Sequence, residues 1–312
     1  MSAAPVGTGN RDGVRTIVDA HHHVWDPVRN YHPWLCDAAP IAFRYGDYSA
    51  LRRRYLPADY EADAAPLRIA ASVYVETEWN PADPIGEMDY VAGLMAAHRL
   101  SSVAVAQAWL DRADAADVLE SHAGRSFVRS VRHKPRANAG PRDGAPGGMA
   151  DTAWRAGFKR LATLGLRFDL QTPWWHLGEA RQLADDFAET VIILNHTGLP
   201  ADRSPEGLAG WRAAMAVLAG APNVRVKISG LGQPGQPWTV EANRDIVLTT
   251  IDLFGTDRCM FASNFPVDGL CASFGTIFDG FGAIVAGFTA DEQDALFAAN
   301  ARNVYATGGA DA

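Results

Sequence analysis

The chain has 312 residues, 48% of them apolar, enough to bury the core of one α/β barrel or of two smaller domains. Its formal net charge of -8 is spread without a basic stripe, so nucleic acid is not an expected partner. No apolar run is long enough for a membrane span, and Cys36, Cys259 and Cys271 show no Cys-x-x-Cys spacing, which predicts a soluble, cytoplasmic protein in reducing conditions.

Residues 1–15 are small, polar and Gly-rich and read as a flexible amino-terminal segment. Beyond them, short β-branched or apolar runs fall at 16–22, 69–76, 103–109, 127–133, 166–171, 191–196, 224–229 and 259–265. Segments with helical spacing lie between most of them, at 85–99, 115–122, 150–164, 177–188, 207–218 and 240–254. Eight strands alternating with helices predict a (β/α)8 TIM barrel over residues 16–312 as a single catalytic domain. A doubly wound open sheet is the alternative, weakened by the absence of a Gly-x-Gly-x-x-Gly turn after the first strand. Residues 27–48, 134–148 and 230–238 read as long loops on the catalytic face. Residues 289–305 open with the capping-box pattern Thr289-Ala290-Asp291-Glu292 and carry Leu296, Phe297, Asn300 and Val304 as one helical face, expected to close the barrel.

Strand alternation predicts that Asp19, His21 and His23 share one face of the first strand while His22 points the other way. In a parallel barrel the inward residues at the carboxyl ends of strands line the site, so His21 and His23 stand where a metal or a substrate oxygen is held. His196 ends the sixth strand, at the equivalent mouth, and three imidazoles could approach one centre. Other strand ends bring Glu76, Arg132 with His133, Asp169 with Gln171, and Lys227 with Ser229. Ion pairs inside the barrel explain such groups as well as substrate contacts do. A mouth holding Glu76, Arg132, His133 and Lys227 suits a small substrate with carboxylate or hydroxyl groups. Tryptophans at strand ends, among them Trp25, Trp34 and Trp79, read mostly as loop anchors, with some available to wall a pocket.

The residues together resemble the amidohydrolase superfamily branch that includes sugar-acid lactonases and 2-pyrone-4,6-dicarboxylate lactonase. The resemblance rests on the segment from Ile17 to Pro27 (IVDAHHHVWDP), on Val73-Tyr74-Val75-Glu76-Thr77-Glu78-Trp79, on Val131-Arg132-His133 and on Leu194-Asn195-His196-Thr197-Gly198-Leu199-Pro200. Gly165 to Leu170, Lys227 to Leu231 and the terminal segment continue it. It implies a (β/α)8 barrel hydrolysing a lactone or similar ester-like bond, with the carbonyl held by the histidines of strands one and six. It further implies a water-activating aspartate at the end of strand eight, and in some members a divalent metal such as zinc or manganese, others working without one. The match carries over to His21, His23 and His196, which are the metal ligands if an ion is bound. It breaks at strand eight, where Asn264 stands in the aspartate's place. An amide cannot take water's proton as a carboxylate can, so Asp268, four residues on, or Glu76 is expected to supply the base. The alternatives are a non-oxidative decarboxylase of an aromatic or unsaturated acid, against which Asn264 counts, and a catalytically degenerate binding relative. Oligomeric state is left open, a homo-oligomer included.

Overall fold

The computed structural model describes residues 15–65, 67–98 and 102–307. Eight parallel strands stand in sequence order around a barrel: β1 Thr16–His22, β2 Arg68–Val75, β3 Val103–Gln107, β4 Val128–Arg132, β5 Arg167–Leu170, β6 Ile192–Leu194, β7 Val224–Ile228 and β8 Cys259–Phe261. The ring closes where the chain beyond β8 runs past β1. There Asn264 N–H donates to His21 O and His23 N–H to Phe265 O, each at 2.8 Å. The expected flexible segment lies outside the described residues except for Arg15, whose guanidinium sits 4.2 Å from the centre of the Phe297 ring.

Strand ends differ from the sequence reading for a backbone reason. β6 stops at Leu194 and β8 at Phe261 because His196 and Asn264 both take φ of 55°, a left-handed conformation that no strand accommodates. The six expected helices are present, with caps that their sequences supply: Asp151, Ser204 and Thr239 each accept a backbone N–H of their own first turn. Helices Pro57–Ala64 and Phe274–Ile284 were not anticipated. The second carries Gly275, Gly280 and Gly282, which weaken a helical pattern, and it uses Gly280 for close packing. A Cβ at Gly280 would lie 2.1 Å from the Trp238 ring.

Two apolar layers follow from strand alternation. Ile17, Tyr74, Phe168, Leu194 and Phe261 face the helices, whereas Val18, Ala20, Val75, Val105, Ile193 and Met260 fill the barrel interior. Ala298, Ala301 and Tyr305 of the carboxy-terminal segment complete that inner layer. The expected capping box at Thr289 and Glu292 is present. The expected buried face is not continuous: residues Ala295–Ala299 form a π-turn, which inserts one residue per turn and moves the inward position from Val304 to Tyr305.

Candidate active site

A cavity of about 260 Å³ opens at the carboxyl ends of the strands. β1 reaches it by a bulge: Asp19 pairs with Ser72 but His22 with Tyr74, so three residues advance on β1 against two on β2. Simple alternation fails there, which corrects the expectation for Asp19. Asp19 faces outward, accepting hydrogen bonds from the Tyr60 hydroxyl at 2.9 Å and from Ser263 N–H at 2.8 Å. His22 also faces outward, against Tyr60 and Tyr74. His21 and His23 face inward, their Nε2 atoms 3.2 Å apart.

The structure brings His196 to this pair, its ring centroid 4.7 Å from that of His21. His196 is turned inward by its left-handed backbone and held by Ser229 Oγ, 2.9 Å from Nδ1. Gly230 makes this packing possible: at φ of +63°, a Cβ there would lie 2.7 Å from His196 Nδ1 and 2.5 Å from Arg44 Nη2. Burial first, then neighbouring cations, lowers all three imidazoles well below their ordinary pKa. Lys227 is the foremost cation for His21, Arg132 for His23 and Arg44 for His196. The rings are therefore neutral at pH 7.

Glu76 and Arg132 line the cavity as a buried ion pair, Arg132 Nε on Glu76 Oε1. Arg132 also donates to Glu76 O at 2.7 Å and to Gln171 Oε1 at 3.1 Å. His133 does not join them. Because Arg132 points inward, His133 points to the helices, accepting Leu110 N–H at 3.0 Å beside Trp154. Lys227 is likewise absent from the cavity wall; it lies deeper, fully buried, 2.6 Å from Asp169. Asp169 also accepts from Tyr305, Ser130 and Asn195, so the pair forms a closed structural cluster beneath the site. Asn264 lines the cavity, whereas Asp268 lies behind it.

Several wall residues were not singled out from sequence. Arg44, within the 27–48 loop, and Lys134, which opens the 134–148 loop, add cationic groups, and Glu78 pairs with Lys134. Trp25 and Trp34, two of the strand-end tryptophans available to wall a pocket, form an apolar wall with Phe43. The loop lengths signal function, but nothing in the sequence marks Arg44, Lys134 or Phe43 over their neighbours.

The donor set does not fit a resident divalent metal. His23 has the outer-shell partner that a liganding imidazole needs, Val75 O at 2.8 Å from Nδ1. His21 does not: its Nδ1 is buried with no partner, so coordination through Nε2 would leave an orphaned N–H. Asn264 supplies an amide where a carboxylate would bind a hard cation better, and Glu76 is held by Arg132. Among the described residues no group of three His, Cys, Asp or Glu has an arrangement that could hold a metal ion, the three clustered imidazoles included.

Fold and site together define a class: a (β/α)8 barrel with a polar pocket at the carboxyl ends of its strands. The chain belongs to the amidohydrolase family, whose profile, described as Amidohydrolase, matches residues 18–307. It is 41% identical over 296 residues to an uncharacterized protein, y4mH, of Sinorhizobium fredii (93% of this chain, 98% of that one). It is 25% identical over 265 residues to L-fucono-1,5-lactonase of Burkholderia ambifaria, covering 83% of each. A solved amidohydrolase from Burkholderia multivorans with bound zinc superposes with a TM-score of 0.78 at 23% identity, over 94% of this chain and 99% of that one. Among the described residues no helix is long and apolar enough to cross a membrane.

Proposed function

We propose that the protein hydrolyses a lactone or similar cyclic ester of a small organic acid. The observation that carries this reading is a single cavity holding a neutral imidazole (His196), a carboxylate (Glu76) and three cationic side chains (Arg44, Arg132 and Lys134). The relatives named as L-fucono-1,5-lactonases support the same reading.

The cations hold the substrate's anionic or hydroxylated part, Arg132 through its remaining donor capacity. With the Ser229 hydroxyl donating to Nδ1, neutral His196 carries its one proton on Nε2 and offers Nε2–H to the carbonyl oxygen. Water adds to the carbonyl carbon as Glu76 takes its proton. The ring C–O bond then breaks and the proton passes to the departing alkoxide, giving the open hydroxy acid. Glu76 is preferred to Asp268 as base because Glu76 lines the cavity and Asp268 does not.

The test is a lactone panel followed by acid release. Glu76→Gln, whose single side-chain oxygen can serve Arg132 Nε or Glu78 N–H but not both, should lower kcat about 10²- to 10⁴-fold, and prolonged chelation should leave wild-type turnover intact. Failure of the wild type on every lactone, or full activity in Glu76→Gln, refutes the reading.

A further inference from the structure

Asp268 lies outside the cavity yet gathers donors from three parts of the site. Its Oδ1 accepts from the Tyr45 hydroxyl and from Asn264 Nδ2, each at 2.7 Å, and its Oδ2 accepts from Gly230 N–H at 3.1 Å. The carboxylate is 1% exposed. An ionised carboxylate only accepts, so the Asn264 amide must turn its NH2 to Asp268, which leaves Asn264 Oδ1 as an acceptor on a residue that lines the cavity. The Asn264 backbone is fixed as well, by its left-handed φ and by the bond from its N–H to His21 O.

We infer that Asp268 is a positioning residue: it clamps Asn264 so that Oδ1 stands as a fixed acceptor for the attacking water or a substrate hydroxyl. Through Tyr45 it also ties the loop that carries Arg44 to the ends of β7 and β8. The nature of that ligand rests on the hydrolase reading; the clamp itself does not.

The geometry dictates which changes the pair tolerates. Asp268→Asn brings a donor into a site that faces donors. If the new carbonyl oxygen serves Gly230 N–H, the new NH2 meets that of Asn264, whose amide must flip and turn NH2 to the cavity. If the oxygen serves Asn264 instead, the new NH2 meets Gly230 N–H, which cannot turn. Asn264→Asp sets two carboxylates in contact. The exchange Asn264→Asp/Asp268→Asn relieves both conflicts: the amide at 268 donates to the carboxylate at 264 and accepts Gly230 N–H, while the Tyr45 hydroxyl rotates to accept.

The experiment measures kcat and KM on the responsive lactone for wild type, both single variants and the exchange. Each single variant should lose about tenfold or more in kcat, as befits a hydrogen bond to a charged group, and the exchange should return to within about threefold of wild type. Wild-type kcat in Asp268→Asn, or an exchange no better than the product of the singles, overturns the inference. Should the wild type turn over no lactone, the hydrolase reading falls and the clamp is decided by NMR of the Asn264 side-chain amide. Slow proton exchange in wild type that becomes fast in Asp268→Asn supports it, and exchange that is the same in both overturns it.

Discussion

The barrel interior holds two polar clusters one above the other, and they are built on opposite terms. In the lower one Asp169 accepts from Lys227 at 2.6 Å, Ser130 at 2.7 Å, Tyr305 at 2.8 and 2.9 Å and Asn195 at 3.0 Å, so the buried carboxylate is paired with a cation and hydrogen-bonded on both oxygens. In the upper one His21 Nδ1 has no partner, His196, Asn264 and Glu78 hold left-handed backbones, and the Lys134 ammonium is partly exposed beside Glu78. A charge-paired network that lies off the cavity wall offers a ligand nothing and holds the barrel together. An unsaturated, strained one costs stability and is where binding recovers it.

If this contrast holds, the clusters fail differently when mutated. Lys227→Met leaves Asp169 as a buried charge without its cation and should cost about 3–5 kcal/mol of unfolding free energy in urea. A cost below about 1 kcal/mol would return Lys227 to the substrate site that its strand-end position suggested. Tyr305→Phe removes one charge-assisted hydrogen bond and should cost about 1.5–3 kcal/mol by the same measurement, with kcat unchanged. Gly230→Ala tests the upper cluster. It should lower kcat/KM about tenfold by displacing His196 and Arg44, against a stability loss of only about 1–2 kcal/mol for a left-handed alanine.

The last prediction expects no effect. His21, His23 and His196 have pKa values held well below the ordinary 6.5, so they stay neutral as pH falls past it. kcat should therefore show no histidine-dependent decline between pH 7 and pH 5. A histidine of ordinary pKa would lose neutral form about tenfold per unit below 6.5, and such a break would show that burial and the neighbouring cations do not hold the rings neutral.

The strands, most helices and the meeting of His21, His23 and His196 were legible because they follow from periodicity and from the order of barrel strands. What was not legible depends on departures from that regularity. Alternation puts Asp19 inward because a bulge cannot be seen in a run of polar residues. Strand position groups His133 and Lys227 with Arg132 because it says neither which face a side chain takes at a strand's end nor how deep it lies. Arg44 and Lys134 reach the cavity through loop paths that no local pattern encodes. Asp268 was singled out for its charge and nearness to Asn264. Its three donors come from segments far apart in the chain, and only the folded structure assembles them.

The bulge in β1 has a consequence for how this site can be lost. Below it the strand is indexed to the apolar interior through Val18 and Ala20; above it the indexing is to His21 and His23. If the bulge were lost with the residue count unchanged, strict alternation from Val18 and Ala20 would turn His22 into the mouth and both His21 and His23 out of it, leaving every side chain chemically intact. The site thus depends on where one strand slips against its neighbour, a property of the backbone that no single side chain carries.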